Sequence, residues 1–218
     1  MPTKSMLLEI KLLSYWHAGS GFGRGADVDA LVLKDPHNLP YLPGRTVKGL
    51  LREAMMCCEE SGAVPAGVVE RLFGKAAKEG KYTGSIPGIL AFDNAVLPGK
   101  EREWLSSASS DARRARSALY DSFASTSLDK DGIAQDRTLR TIELCVPVAL
   151  YAEIHGIPRD DETEIHLSKA CSLLRAIGSH RTRGLGRCEC TLGVCRNPPA
   201  GKGANAMHSA HYDVTLLS

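Results

Sequence analysis

Two stretches of helical spacing, each beside a strand-like run, restrict this chain to a small set of α+β folds. In the first, Val47, Leu50, Leu51, Ala54 and Met55 recur at helical intervals, with Lys48, Arg52 and Glu53 on the opposite face. Thr46 is the expected N-cap. The apolar run 6–14 (MLLEIKLLS) precedes it as a strand. In the second, Ile165, Leu167, Ala170, Leu173, Leu174 and Ile177 mark an amphipathic helix over 165–177. Asp160, Asp161, Glu162 and Glu164 lie before or in its first turn, where the helix dipole favours acids. Residues 188–195 follow as a closing strand.

Between these landmarks, 66–73 reads as a short helix stopping at Gly74, and 88–95 (GILAFDNA) reads as a strand. Residues 100–122 are polar, with a helical look over 112–119. Residues 125–135 read as a mobile insertion. Residues 138–148 and 149–154 are β-rich and suit a hairpin or one long bent strand. The resulting order is β-α-(insert)-β-(insert)-β-α-loop-β, the ferredoxin-like βαββαβ order with insertions. No internal repeat has a fixed period.

Composition narrows the class. Of 218 residues, 43% are hydrophobic and 24% charged, which excludes a collagen, a coiled coil and a disordered tail. No run approaches the roughly 18 apolar residues of a membrane span. Glu9 and Lys11 interrupt what would be a signal-peptide core, so a cytoplasmic protein is expected. The seven cysteines are then expected as reduced thiols. With a formal charge of only +2, nucleic acid would have to bind through a local patch.

The loops carry the candidate chemistry. Residues 19–25 hold four glycines and read as a flexible loop. Gly21-x-Gly23-x-x-Ala26 formally fits a dinucleotide fingerprint, but the β-rich 31–33 and Pro36 leave no room for the helix that fingerprint needs. Asp27, Asp29 and Asp35 suit either a hard-cation or hydroxyl-polarising site, or ordinary turn formation. Arg45, Lys48 and Arg52 cluster at a helix start, where backbone amides also favour phosphate. The loop 179–187 holds Arg181, Arg183 and Arg187 with no acid, and its glycines let amides approach a phosphate closely. Together these clusters point to nucleic acid. Cys188-x-Cys190-x4-Cys195 fits no zinc spacing and reads as buried thiols, so structural zinc is not expected. His17 and His180 are general acid–base candidates for RNA cleavage.

Four stretches resemble the RAMP superfamily of CRISPR-associated proteins. They are 26–35 (ADVDALVLKD) running into 39–52 (LPYLPGRTVKGLLR), Leu72-Phe73-Gly74 with the strand 88–95, Gln135-Asp136-Arg137-Thr138 leading into Glu143 and Val146-Pro147, and Arg183-Gly184-Leu185-Gly186-Arg187. Within that superfamily, the chain resembles the repeated backbone subunit of type III effector complexes in antiviral defence. It implies a modified RRM-like fold with a thumb-like insertion. It also implies copies stacked head to tail on a guide CRISPR RNA, with other CRISPR effector subunits and no membrane.

By motif position, Asp29 resembles the family's catalytic aspartate for metal-dependent (Mg²⁺ or Mn²⁺) cleavage of complementary target RNA. Asp27 is the second choice and a further metal ligand. The RNA-binding residues implied are Arg24, Arg45, Lys48, Arg52 and Arg137, with His180, Arg181, Arg183, Gly184, Gly186 and Arg187 of the glycine loop. No organic cofactor is expected. The alternatives are a catalytically silent backbone subunit and a free-standing, metal-independent guide-processing endoribonuclease of the same superfamily. The expected organisation is one RAMP/RRM-like domain over 1–196, with insertions at about 15–45 and 97–136. A tail over 197–218 carries a possible last strand.

Overall fold

A computed structural model of the chain describes residues 2–24, 28–75, 85–126, 130 and 139–194. Strand β1 (Thr3–Leu12) alternates Met6, Leu8, Ile10 and Leu12 toward a buried face, which is the period-two pattern of a half-covered sheet. Helix α1 (Gly44–Glu60) and the short α2 (Val68–Phe73) follow, with strands β2 (Gly74–Lys75), β3 (Ile86–Pro87) and β4 (Ala91–Phe92). Two further helices, α3 (Gly99–Ser106) and α4 (Ser110–Ala118), lead to β5 (Tyr120–Ser125) and β6 (Arg140–Cys145). Then come β7 (Ala149–Pro158), α5 (Asp161–Leu173) and β8 (Cys188–Val194).

The main sheet is antiparallel in the order β4-β7-β1-β8. Counting those strands second, third, first and fourth along the chain gives the ferredoxin-like arrangement, so the expected fold class holds. Helices α1 and α5 cover one face. Val47, Leu51, Ala54 and Met55 from α1, and Leu167, Ala170, Cys171 and Leu174 after and within α5, pack on Met6, Leu8, Ile10, Leu150, Ala152 and Ile154. Cys188 and Cys190 share that face and are buried, with Sγ atoms 4.0 Å apart. Burial pushes the Cys171 thiol up to about 12, as suits an inert core cysteine.

Several local expectations change. The N-cap of α1 is Pro43, not Thr46, whose own amide donates to the Pro43 carbonyl at 2.8 Å. A proline fits there because its φ of −58° suits the ring and no helical hydrogen bond needs its missing N–H. The strand expected over 88–95 contracts to β4, although Ala95 and Val96 bridge to Leu42 and Tyr151. The β-rich stretch 138–154 is no hairpin, because β6 pairs with β5 while β7 enters the main sheet. Most of the expected insertion at 125–135, the residues after 194 and the possible last strand lie outside the described residues.

Register places the loops. Lys11 pairs with Ala149 and Leu12 with Cys188, so the segments after β1, before β7 and before β8 all gather at one end of the sheet.

Candidate functional site

At that end, residues 19–24 and 28–32 pair as the two halves of a cross-strand arm. Ser20 N donates to Leu31 O at 2.9 Å, Leu31 N to Phe22 O at 2.9 Å, and Arg24 N to Val28 O at 2.7 Å. The returning half then lies along β6. Asp29 N donates to Thr141 O at 2.8 Å, and Glu143 N donates to Ala30 O at 2.9 Å. Asp29 itself is exposed, and its Oδ2 accepts the Thr141 amide at 2.7 Å. Main chain and side chain of Asp29 are therefore both fixed to one residue of the ribbon. Asp27 lies outside the described residues.

Asp35 has a different fate. Its Oδ1 accepts the His37 and Leu39 amides, and its Oδ2 accepts Arg102 Nη2 at 3.0 Å. The amide bonds close the turn and the Arg102 bond ties it to α3, so Asp35 is structural. Glu143 anchors the arm from below. Its carboxylate accepts Val32 N at 3.0 Å and Lys34 Nζ at 2.8 Å, while Lys34 also lies 3.8 Å over the Tyr120 ring. Burial, then nearby Cys145, Glu143 and Asp35, keep the Tyr120 phenol protonated well beyond its ordinary range. The Tyr120 hydroxyl donates to Asn38 O at 2.7 Å.

His17 sits beneath the arm and is buried. Its Nδ1 lies 2.7 Å from Glu143 O, and since a carbonyl only accepts, Nδ1 carries the proton. That bond fixes the ring, and burial keeps His17 from facing solvent.

The glycine loop packs along the strand exit. Ser179 N donates to His17 O, Gly186 N to Tyr15 O and Leu13 N to Arg187 O. Gly186 has φ 70°, and a Cβ there would sit 1.9 Å from Ile177 O, so no other residue fits. Gly184 also has positive φ, as does His180, whose Nδ1 meets Ser179 Oγ at 3.0 Å. Arg181, Arg183 and Arg187 are exposed. Arg181 Nη1 lies 3.9 Å from Glu53 Oε2, which brings this loop against α1.

On α1, Arg45 is exposed, Lys48 is half-buried, and the half-buried Arg52 keeps a buried Nε with no hydrogen-bond partner among the described residues. The first turn of α1 holds no acid. Arg24 is exposed on the arm, and Arg137 lies outside the described residues. The structure brings the glycine loop to the Asp29-bearing end and, through Arg181 and Glu53, against α1, while the start of α1 lies beside the Phe92 and Asp93 carbonyls. Sequence reasoning missed Thr141 and the Lys34–Glu143–Tyr120 network. The acid–base pair Lys34 and Glu143 was visible as residue types, but nothing local linked them.

A second carboxylate group lies on the face away from α1 and α5. The ligand-type atoms of Asp93, Glu153 and His155 lie within 4.8 Å of one another. His155 Nε2 meets Asp93 Oδ2 at 3.0 Å, and its Nδ1 meets Ser5 Oγ at 2.9 Å. Both ring nitrogens are thereby used within the protein.

The sheet order and its basic, arm-bearing end define a ferredoxin-like protein with elaborated loops. A model of the RAMP superfamily matches residues 9–189, and the chain belongs to that superfamily. A chain from the cryo-EM structure of type III-B Cmr-beta in the apo state is similar, with TM-score 0.61 and 12% identity over 87% of this chain and 97% of its own. A chain of type III-B Cmr-beta bound to cognate target RNA gives TM-score 0.63 and 12% identity over 86% and 96%. At that identity the likeness establishes the shared fold. No curated protein matches the sequence. Among the described residues, no helix is long and apolar enough to cross a membrane.

Proposed function

We propose that this protein is a guide-RNA-binding backbone subunit of a type III CRISPR ribonucleoprotein effector that cuts complementary target RNA at Asp29. The observation that carries the reading is the exposed Asp29 carboxylate, fixed to Thr141 at the end of the sheet where the arginine-bearing glycine loop also packs. Membership of the RAMP superfamily and the Cmr-beta fold support it. Arg45, Lys48 and the loop arginines would neutralise guide phosphates, and the backbone amides of the glycine loop would approach them. Neighbouring copies or homologous subunits would continue the RNA path.

The reaction proposed is attack of a target 2′-hydroxyl on the adjacent phosphorus. The O2′–P bond forms and the P–O5′ bond breaks, leaving a 2′,3′-cyclic phosphate and a 5′-hydroxyl. Asp29 orients the attacking hydroxyl and takes its proton, and the departing 5′-oxygen is protonated from solvent. An exposed carboxylate held at one oxygen suits a hard divalent ion, and Asp29 with Asp27 would hold it. When bound, such an ion supplies Lewis-acid stabilisation of phosphoryl charge.

The test is cleavage of a labelled RNA complementary to a bound guide, with Mg²⁺ or Mn²⁺ and then with EDTA. Regularly spaced cuts that vanish in EDTA and in Asp29→Ala are expected. Binding of guide and target without any cut would leave a silent subunit. Cuts that persist in EDTA would identify a metal-independent nuclease.

A further inference from the structure

We propose that Gly23 is a positioning residue for Asp29, holding that carboxylate against Thr141 because position 23 can carry no side chain; this rests on reading Asp29 as the cutting group. The arm clasps Asp29 from two sides. On one side stands Thr141, which exchanges hydrogen bonds with the Asp29 amide and carboxylate. On the other stands Gly23. A Cβ built there would lie 2.8 Å from the Asp29 carbonyl oxygen and 2.9 Å from that of Val28. Both obstacles are main chain, which cannot swing aside as a side-chain tip can.

The way out for an added methyl group is limited. Val28 is buried beneath the arm, and Ala30 is tied to β6 by the Glu143 amide. Arg24, one residue beyond Gly23, is held by its 2.7 Å bond to Val28 O. Any residue larger than glycine therefore drives the Val28 and Asp29 carbonyls away from the outer arm and toward β6. There it disturbs the Thr141 bond that aims the carboxylate. The neighbouring Gly21 shows the contrast, since a Cβ there meets nothing within 4 Å. The requirement at position 23 is one of clearance over two successive carbonyl groups. A misplacement near 1 Å at a reacting group costs on the order of a hundredfold in rate, so a small shift is sufficient.

Two readouts test this. In amide spectra of the full chain, Asp29→Ala is expected to shift the Thr141 resonance and speed its hydrogen exchange. Gly23→Ala is expected to perturb the same amide. In the guide-loaded assembly at saturating target, Gly23→Ala is expected to slow single-turnover cutting about a hundredfold, with target affinity changed less than about twofold. Added to Asp29→Ala, it is expected to cause no further loss.

A Thr141 amide unmoved by Gly23→Ala overturns the clamp, whether or not the protein cuts RNA. A moved amide with unchanged cutting overturns the positioning role. Cutting that survives Asp29→Ala overturns the underlying catalytic reading, and the amide readout separates that failure from failure of the clamp. If Gly23→Ala alters the emission of the buried Trp16, Thr141→Pro replaces it, removing the same N–H from the other partner. Wild-type cutting by Thr141→Pro overturns the proposal.

Discussion

The helix-backed body of the sheet and the arm-and-ribbon end are built on opposite principles. In the body, Met6, Leu8, Ile10, Leu150 and Ile154 vanish under α1 and α5, and apolar burial dominates. At the other end, Phe22 is 74% exposed, Leu139 69% and Phe123 50%, so little apolar area is gained. That end takes its shape from main-chain hydrogen bonds and one carboxylate hub, Glu143. The lesson is a division of labour. A body change should be felt as global stability, whereas an arm change should be felt as geometry.

The sharpest way to break this contrast is Ile154→Ala. It removes a fully buried side chain from the central sheet and should cost about 2–5 kcal/mol in urea unfolding. A cost no larger than that of an arm substitution would abolish the distinction. Glu143→Ala comes next. It strips Val32 N and Lys34 of their acceptor and should cost about 1–3 kcal/mol. Its effect should appear as faster hydrogen exchange at Val32, with β1 and β7 still protected.

Asp160→Ala should cost about 1 kcal/mol, because Asp160 Oδ1 accepts the Thr163 amide and caps α5. Hydrogen bonds from the Thr163 side chain and then its backbone hold the Asp160 carboxyl below the usual carboxylate range. Its contribution is therefore full above the unfolded-state carboxylate pKa and is lost as pH falls through the lower folded value. The stability gap between wild type and Asp160→Ala should close in acid, and a gap constant with pH would contradict the cap. Arg45→Ala should be the mildest. It should leave unfolding unchanged and reduce the salt slope of RNA binding by about one unit. An unchanged slope would take Arg45 off the RNA path.

The body was largely legible in the sequence because its signals are local. Val47, Leu51, Ala54 and Met55 announce α1 by spacing, Gly74 marks the end of α2, and the acids near Asp160 mark the start of α5. The arm-and-ribbon end was legible in residue type but not in arrangement. β5 is polar and mostly exposed, so its strand character comes from pairing with β6 and not from alternation. α3 buries only Leu105 among charged neighbours and leaves no stripe to read. Asp29 could be singled out by its motif, yet its partner Thr141 lies 112 residues away. A contact of that kind is created by the fold and has no local sequence signature. The two β-rich runs looked continuous because nothing short of pairing reveals that Val146–Val148 carries the chain from one sheet to another.

That crossing segment has a mechanical consequence. Val146 N donates to Leu119 O, Val146 O accepts the Trp16 indole N–H at 3.1 Å, and Val148 O accepts Leu12 N. Trp16 also pairs with Cys145 in both directions, and its ring is wholly buried. The ribbon of β5 and β6 is thus a cantilever whose root is set in the core. Load applied at the far end reaches β7, an interior strand of the sheet, through covalent bonds and a braced joint. Asp29 is fastened at Thr141, four residues out from that joint, so its alignment follows the ribbon and not the core.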